Sequence, residues 1–377
     1  MINDLRIHLS VIMYMLGCFS IMAYNSLVIY RKRSRSKFIK KNTTRWIDAI
    51  YQQLATNNAT ICPKHKKHLS KNLTHVEKLI AFSYALNFFN QGYGKDLYKK
   101  YMSILAESRI FQPLVQSYKK KRSQERAYFA HFVSQHPSVA KDAEGLCKNT
   151  TDTMVMFAVK SDIYCRVNVL KALSRLGDMQ GIASVLQYFS QKPAFIHHKL
   201  LAEDLYNFAG DKEALALKLW EGHELWNDNI MLGVITFIAM FSGGFQADFL
   251  PVLQRQSTSE DIRLALIRYY KQYSYEPALP VLIDYLNQTD NYELAMEAAT
   301  SLSAYPGPTT THVLNTALES ENWHVRYNAV SSLVELGAYL GSDSDSAQSR
   351  DSDVLQIIEY KLDHAVENFV NASEIAT

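Results

Sequence analysis

The stretch DIYCRVNVLKALSRLGD, residues 162–178, contains a complete helix pattern that recurs along the rest of the chain. It begins with Asp162, whose side chain can accept hydrogen bonds from the free N–H groups of a first helical turn. Val169 and Leu173 follow at a spacing of four, which places both on one helical face. Gly177 comes at the end, where a left-handed residue can stop a helix. The stretch therefore predicts one amphipathic helix with a defined start and a defined end.

The pattern repeats with a period of about 32 residues, in segments that start at residues 165, 197, 230, 262, 294 and 325. In each segment the fifth and ninth positions are apolar or small: Val169/Leu173, Leu201/Leu205, Val234/Ile238, Leu266/Tyr270, Ala298/Leu302 and Ala329/Leu333. A second apolar stretch follows each segment. Repeats of this length indicate stacked supersecondary units, and each unit is predicted to be a helical hairpin.

Helix-capping and helix-stopping residues support the same phase. Five segments have a capping residue three positions before they start: Asp162, Asn227, Ser259, Asn291 and Asn322. Glycines lie near the ends of five segments: Gly177, Gly210, Gly243, Gly307 and Gly337. This phase predicts four leucines that are buried between the hairpins: Leu173, Leu266, Leu302 and Leu333.

Residues 162–178 and the stretch NWHVRYNAVSSLVELG (322–337) resemble the HEAT repeat family, particularly its short bacterial form. In that family an Asp or Asn, then Val-Arg, then small residues and Leu define the helix. The resemblance covers about residues 165–340. It implies an all-α fold, an α-solenoid of HEAT-type helical hairpins, preceded here by one transmembrane helix.

The resemblance also implies a set of polar residues that stack neighbouring repeats. The residues that match the family pattern are Asp162, Arg166, Arg263, Asn322 and Arg326. Other units carry His198, Met231 and Ala295 at the Arg position, so a polar ladder along the whole array would be broken.

Composition divides the chain into six predicted segments. They are a transmembrane anchor (1–30), a basic juxtamembrane segment (31–41), degenerate helical repeats (42–160), regular HEAT-like repeats (161–340), a disordered Ser/Asp loop (341–353), and a C-terminal capping helix and tail (354–377). The predicted helices within 42–160 are 43–55, 74–89, 95–108, 124–136 and 150–161.

The apolar run IHLSVIMYMLGCFSIMAYNSLVIY, residues 7–30, contains no Asp, Glu, Lys or Arg. As a helix it would be about 36 Å long, which exceeds the ~30 Å hydrocarbon core of a bilayer. A cleaved signal peptide would have a shorter apolar region after a basic start, whereas MINDLR is nearly neutral. The run is therefore predicted to be an uncleaved membrane anchor.

Basic residues follow the run immediately: Arg31, Lys32, Arg33, Arg35, Lys37, Lys40 and Lys41. Lys- and Arg-rich flanks stay in the cytoplasm, so the sequence predicts a single-pass protein of the cell (inner) membrane. Its N-terminus would be outside and its solenoid in the cytoplasm. The same basic residues are expected to contact anionic lipid headgroups.

Charge is distributed unevenly along the chain. Residues 1–200 contain 31 Lys and Arg against 11 Asp and Glu, a balance of +20; residues 201–377 contain 9 against 26, a balance of −17. Two solvated surfaces of arbitrary sign would give the same numbers. We expect instead that the basic half lies near the membrane and that the acidic half meets a basic surface of another protein.

Few residues suggest a catalytic, metal-binding or nucleic-acid-binding site. Cys62, His65, His68 and His75 are close in sequence, but the lysines among them oppose a divalent cation, so a solvated basic loop is predicted there. Cys18 lies in the apolar run, and the other three cysteines (Cys62, Cys147 and Cys165) are expected to be reduced core thiols. Neither a metal nor a cofactor is expected. The basic stretch YKKKRSQER (118–126) lacks base-reading features and is expected to face the membrane or solvent.

These observations predict a membrane-anchored cytoplasmic scaffold that is not an enzyme. It would bind a protein partner at the same membrane through a solenoid surface, for example as an accessory subunit of a membrane enzyme such as a glycosyltransferase. One alternative is a HEAT-type enzyme that resembles bilin lyases or DNA glycosylases, which are normally soluble. The other is a nucleic-acid binder that uses the basic half, whose binding would depend steeply on salt.

Overall fold

The computed structural model describes residues 2–338, apart from 57–59, 92–93, 143–144, 147, 193–195 and 289–290, together with residue 360. The predicted Ser/Asp loop (341–353) lies outside the described residues. So does the predicted capping helix and tail (354–377), except for residue 360.

The chain forms two compact units, the first of residues 1–185 and 207–210, the second of residues 186–206 and 211–377. The first unit contains helices α1 (Ile2–Ala55), α2 (Pro63–Asn72), α3 (Val76–Asn90), α4 (Lys95–Glu107), α5 (Phe111–Tyr118), α6 (Ser123–Gln135), α7 (Lys148–Val159) and α8 (Ile163–Leu176). A short antiparallel pair, β1 (Lys141–Asp142) and β2 (Gly145–Leu146), precedes α7, and the division between the units falls within α9 (Met179–Gln191).

The second unit continues with α10 (His198–Tyr206), α11 (Lys212–Glu221), α12 (Asp228–Ala239), α13 (Gln246–Gln254), α14 (Glu260–Gln272), α15 (Leu279–Leu286), α16 (Tyr292–Ser301), α17 (Pro308–Ala317) and α18 (Trp323–Glu335). Helices α10, α12, α14, α16 and α18 carry the predicted pattern, and we call them the repeat helices. Each packs on the next, and the linking helices α11, α13, α15 and α17 each pack on the repeat helix that follows. This arrangement confirms the predicted all-α, solenoid-type fold class.

Burial of the pattern residues explains why the repeat helices stack. All twelve residues predicted at the fifth and ninth positions are at most 1% exposed. Because these positions are four residues apart, each helix presents one apolar stripe, and that stripe is removed from water only when the neighbouring helices are present. The predicted repeat phase is confirmed.

Most of the predicted capping residues begin helices as expected. The side chains of Asp162, Asn227, Asn291 and Asn322 each accept a hydrogen bond from a backbone N–H of the first turn. Ser259 occupies the same position before α14 but makes no such bond. Of the predicted stop residues, Gly177 and Gly337 adopt left-handed conformations, with φ of 76° and 64°.

The prediction of a loop between Cys62 and His75 is wrong, because most of that stretch forms helix α2. Pro63 stands at the start of α2, where a missing N–H costs nothing. Leu69 and Leu73 are buried at a spacing of four, and the lysines of α2 remain exposed. The charge of this stretch therefore reflects one solvated face of a helix.

Helix α1 joins segments that were predicted separately, because it runs without interruption from the apolar run through the basic residues to Ala55. The sequence from 18 to 55 contains no Gly or Pro that would break it. Residues 11–38 are exposed, whereas Trp46, Ile50 and Leu54 are buried in the first unit. One helix therefore contains both the apolar run and part of the core.

We expect Leu266→Ala to lower the free energy of unfolding of the second unit by about 2–5 kcal/mol, because it removes buried methyl groups and leaves a cavity. Leu266 on α14 is 0% exposed. The measurement is urea unfolding of the purified full chain. Leu217→Ala on α11, where the side chain is 57% exposed, is the control and should change little. Equal losses in the two variants would contradict the repeat phase.

We expect the stability of the first unit to fall as the pH drops from 7 to 5, partly because of His136. Its ring is fully buried, and Nδ1 and Nε2 lie 2.9 Å from Tyr98 Oη and 3.3 Å from Ser83 Oγ. Burial, with a smaller effect of His131, lowers the pKa of His136 from 6.5 to about 4. The unfolded chain therefore takes up a proton first, so the stabilisation is complete above pH 6.5 and is lost as the pH falls towards 4.

Thermal unfolding at several pH values measures this slope. The His136→Gln variant should show a shallower pH dependence than the wild type, whatever its absolute stability. His312→Gln alters an exposed residue and should keep the wild-type slope. An unchanged slope in His136→Gln would show that other groups account for the effect.

Candidate binding groove

Two further positions of the repeat pattern, the third and the seventh, are not part of the fully buried stripe. In the second unit the third-position residues are Lys199, Leu232, Leu264, Met296 and Tyr327. All of these except the exposed Lys199 are half-buried. The seventh-position residues are Glu203, Thr236, Arg268, Thr300 and Ser331. The third positions thus form a row of large, partly exposed side chains along successive helices, with mainly polar side chains beside them.

A groove of about 410 Å³ lies along this row, between α10, α12 and α14. Its apolar lining includes Leu232, Ile235, Ala239, Leu264 and Ala265. Its polar lining includes His198, Lys199, Asp261, Arg268 and Gln272. An apolar floor with a polar margin is typical of sites that bind another molecule.

Gly233 allows α10 and α12 to approach closely below the groove. A Cβ atom at this position would lie 2.7 Å from Leu201 Cδ2 and 3.3 Å from the carbonyl oxygen of His198. Leu201 is fully buried. The close approach of these two helices therefore depends on a glycine.

Charges of both signs surround the groove. Arg268 Nη2 lies 2.8 Å from Glu297 Oε2, so this carboxylate of the acidic half is already paired. Burial is the main cause that lowers the pKa of His198, followed by the positive charge of His197. Mixed charge gives electrostatic specificity without the strong positive field that a nucleic acid requires.

Asp162 and Asn322, two of the predicted stacking residues, cap helices. Asp162 Oδ1 accepts a hydrogen bond from the backbone N–H of Cys165 at 3.0 Å, and Asn322 Oδ1 accepts one from that of His324 at 2.9 Å. Both side chains therefore satisfy the first turn of their own helix, α8 or α18.

The predicted arginines bind backbone carbonyl groups. Arg263 Nη2 donates to the carbonyl oxygen of Gln256 at 2.5 Å, and Arg326 Nη1 donates to that of Ser320 at 2.8 Å. These carbonyls lie in the turns after α13 and α17, where a backbone acceptor needs a partner from outside the helix. Each arginine thus ties a repeat helix to the end of the preceding linking helix. Arg166 lies half-buried on α8.

The predicted basic residues all lie on α1. Arg31, Lys32, Arg33, Arg35, Lys37, Lys40 and Lys41 belong to one continuous and largely exposed stretch of that helix. Arg35 Nη2 lies 3.7 Å from Glu77 Oε1 on α3, so the basic stretch reaches the folded unit.

The residues between Cys62 and His75 do not converge. His65 Nε2 lies 2.9 Å from Tyr101 Oη, and His68 packs against Trp46 with ring centres 4.7 Å apart. His75 precedes α3, beyond the far end of α2. Burial, and then the charge of His68, lowers the pKa of His65 to about 4. Within the described ranges, no three His, Cys, Asp or Glu side chains lie together as metal ligands.

Comparison with known proteins supports the repeat assignment. Residues 247–334 match the family model of HEAT repeats. The match extends from α13 to α18 and therefore covers three pairs of linking and repeat helices, including the α14 wall of the groove. A search of curated proteins found no match to the chain.

Sequence reasoning missed the groove residues, although the repeat contained a signal for them. Once the fifth and ninth positions are assigned to the core, the third positions should be solvent-facing. Leu232, Leu264 and Met296 at those positions are unusually apolar for an exposed face. Comparing the same position across the repeats would have identified this row.

Proposed function

We propose that this chain is a scaffold that binds a protein partner through the groove of its second unit. The observation that carries the proposal is the groove itself, which is lined by the half-buried third-position side chains Leu232 and Leu264. Met296 and Tyr327, at the same position of α16 and α18, are half-buried as well. Solenoids of helical repeats present extended surfaces that suit protein recognition, and the match to HEAT repeats supports such a role. Apolar contacts would supply most of the affinity, and the charged margin would guide encounter.

Membrane anchoring by α1 forms the second part of the proposal. This helix contains a window with a mean hydropathy of 1.7, none of which is buried within the described structure. Such an exposed apolar surface is costly in water and favourable in a lipid hydrocarbon core. The partner would then be a protein at the same membrane, such as a membrane enzyme of the glycosyltransferase type, to which this chain adds no catalytic step.

A photo-crosslinking amino acid at Leu264 should trap the partner in native membranes. Leu264 lines the groove, so a bound protein would lie within reach of the probe. The same amino acid at Leu217 on α11 is the matched control, because that side chain is exposed outside the groove. We expect one protein product from position 264 and none from position 217. Equal products from both positions, or none from either, would refute binding in the groove.

We expect a reporter fused after Thr377 to behave as cytoplasmic. The seven basic residues after the apolar run bias this flank to stay inside, whereas the opposite flank carries one arginine, Arg6. Fluorescence of a fused fluorescent protein and lack of activity of a fused alkaline phosphatase measure the side. Replacing all seven basic residues with Gln should reduce this bias. An external reporter in the unaltered chain would reverse the proposed topology.

A further inference from the structure

The structure places three separate basic segments at one edge of the first unit. They are residues 31–41 of α1, Lys71 and Lys78 at the turn between α2 and α3, and residues 119–122 between α5 and α6. We call this surface the basic edge. Its parts are distant in sequence, and contacts of α1 with α3 and of Tyr118 with Leu73 bring them together.

Helices α1 and α3 run in the same direction, so the start of α3 lies beside the basic stretch of α1. Three contacts establish this, because their residue numbers increase together: Arg35–Glu77 at 3.7 Å, and the ring pairs Trp46–Phe82 at 5.1 Å and Tyr51–Phe89 at 4.9 Å. The turn that carries Lys71 and Lys78 immediately precedes or begins α3. It therefore lies at the level of Arg35.

Tyr118 holds the third segment at the same level. Its buried hydroxyl group donates to the carbonyl oxygen of Leu73 at 2.9 Å. Burial raises the pKa of Tyr118, and the nearby carboxylates of Glu125 and Glu77 raise it further, so the hydroxyl remains a donor. Because Lys119 is the next residue, the segment 119–122 begins beside the α2–α3 turn.

Two apolar side chains extend the basic edge. The backbone N–H of Asp162 donates to Ser123 Oγ at 3.1 Å, next to the third segment. Ile163 and Tyr164 follow directly, and they are 43% and 76% exposed. An exposed tyrosine beside a basic surface is typical of the membrane–water interface.

The basic edge lies close to the end of the apolar run. Arg35 is five residues beyond Tyr30, the last residue of that run. At 1.5 Å per residue this separation is about 8 Å along the helix, comparable with the Debye length of ~8 Å in physiological salt. Charges at this level therefore remain within the electrostatic range of a membrane surface that surrounds the apolar run.

Few carboxylates oppose these positive charges. Glu77 pairs with Arg35, Glu125 lies 3.8 Å from Lys121, and Asp162 caps the start of α8 beside the third segment. Among the described residues, no ion pair joins Lys71, Lys119, Lys120 or Arg122 to a carboxylate. The surface therefore keeps a strong positive excess.

We propose that the basic edge binds the headgroups of anionic lipids beside the anchoring helix. The proposal rests on membrane anchoring by α1 but is independent of the partner groove. Headgroup phosphates complement the lysines and Arg122, and Tyr164 lies in the interfacial layer. The first unit would then lie against the bilayer instead of standing away from it on α1.

Hydrogen–deuterium exchange of the full chain in lipid nanodiscs tests the proposal. One preparation contains phosphatidylcholine alone, and the other contains phosphatidylcholine mixed with phosphatidylglycerol. We expect the amides of residues 119–122 to exchange about tenfold more slowly in the anionic nanodiscs, and high salt should remove the difference. Inorganic phosphate added to neutral nanodiscs should not slow the exchange.

The test variant combines Lys119→Gln, Lys120→Gln and Arg122→Gln, which leaves the Lys121–Glu125 pair in place. Its control combines Lys64→Gln, Lys66→Gln and Lys67→Gln on α2 and removes the same charge. Lys64 lines a pocket with Gln52, near the opposite end of the packed part of α1. Because the substitutions change the intrinsic exchange rates of residues 119–122 themselves, the test variant is read at the α2–α3 turn as well. It should lose the lipid-dependent protection there, and the control should keep it.

The outcomes separate this proposal from the proposed function. A chain that integrates into both nanodiscs, yet shows the same exchange in both, would overturn docking while leaving anchoring intact. Protection by free phosphate in neutral nanodiscs would also overturn it, because the occupant would then be a soluble anion. Release of the chain from bilayers by alkaline carbonate would instead contradict membrane anchoring itself.

Discussion

Removal of the apolar stripe of each repeat helix from water holds the array together. The fifth and ninth positions are buried in every unit of the pattern, and each such residue contributes about 1.5–3 kcal/mol when it is a large aliphatic or aromatic side chain. An isolated hairpin would leave its stripe exposed, so every repeat depends on its neighbours. Because these two positions are committed to the core, the third and seventh positions remain available to form the groove.

The polar residues of the array mostly serve the ends of helices. Asp162 and Asn322 satisfy N–H groups at helix starts, whereas Arg263 and Arg326 satisfy carbonyl groups where linking helices stop. Unsatisfied backbone groups at such ends would be costly once the helices are packed. Arg263 and Arg326 therefore fix how α13 passes into α14 and how α17 passes into α18, and α14 is one wall of the groove.

Periodicity made the repeat array predictable, because the period held over six segments and capping residues preceded five of them. Other features were harder to predict. Lysines obscured α2, for which only Leu69 and the residue that follows its end, Leu73, record the helical spacing. The partners of Arg263 are carbonyl groups, which every residue has, so no sequence pattern reveals them. Leu264 resembles a core residue, and only its position relative to Leu266 distinguishes it.

Because α1 is uninterrupted, the number of residues between its apolar run and its buried part determines how the first unit is rotated about the helix axis. Trp46 fixes the helix in the first unit, and the apolar run ends at Tyr30 on the same helix. In a continuous α-helix each residue advances about 1.5 Å and turns about 100°. One residue inserted between these points would therefore rotate the first unit about the helix axis and present a different side to whatever surrounds the apolar run. The number of residues between Tyr30 and Trp46 thus sets which side of the first unit faces these surroundings. Only insertions or deletions close to a whole number of helical turns would preserve that orientation.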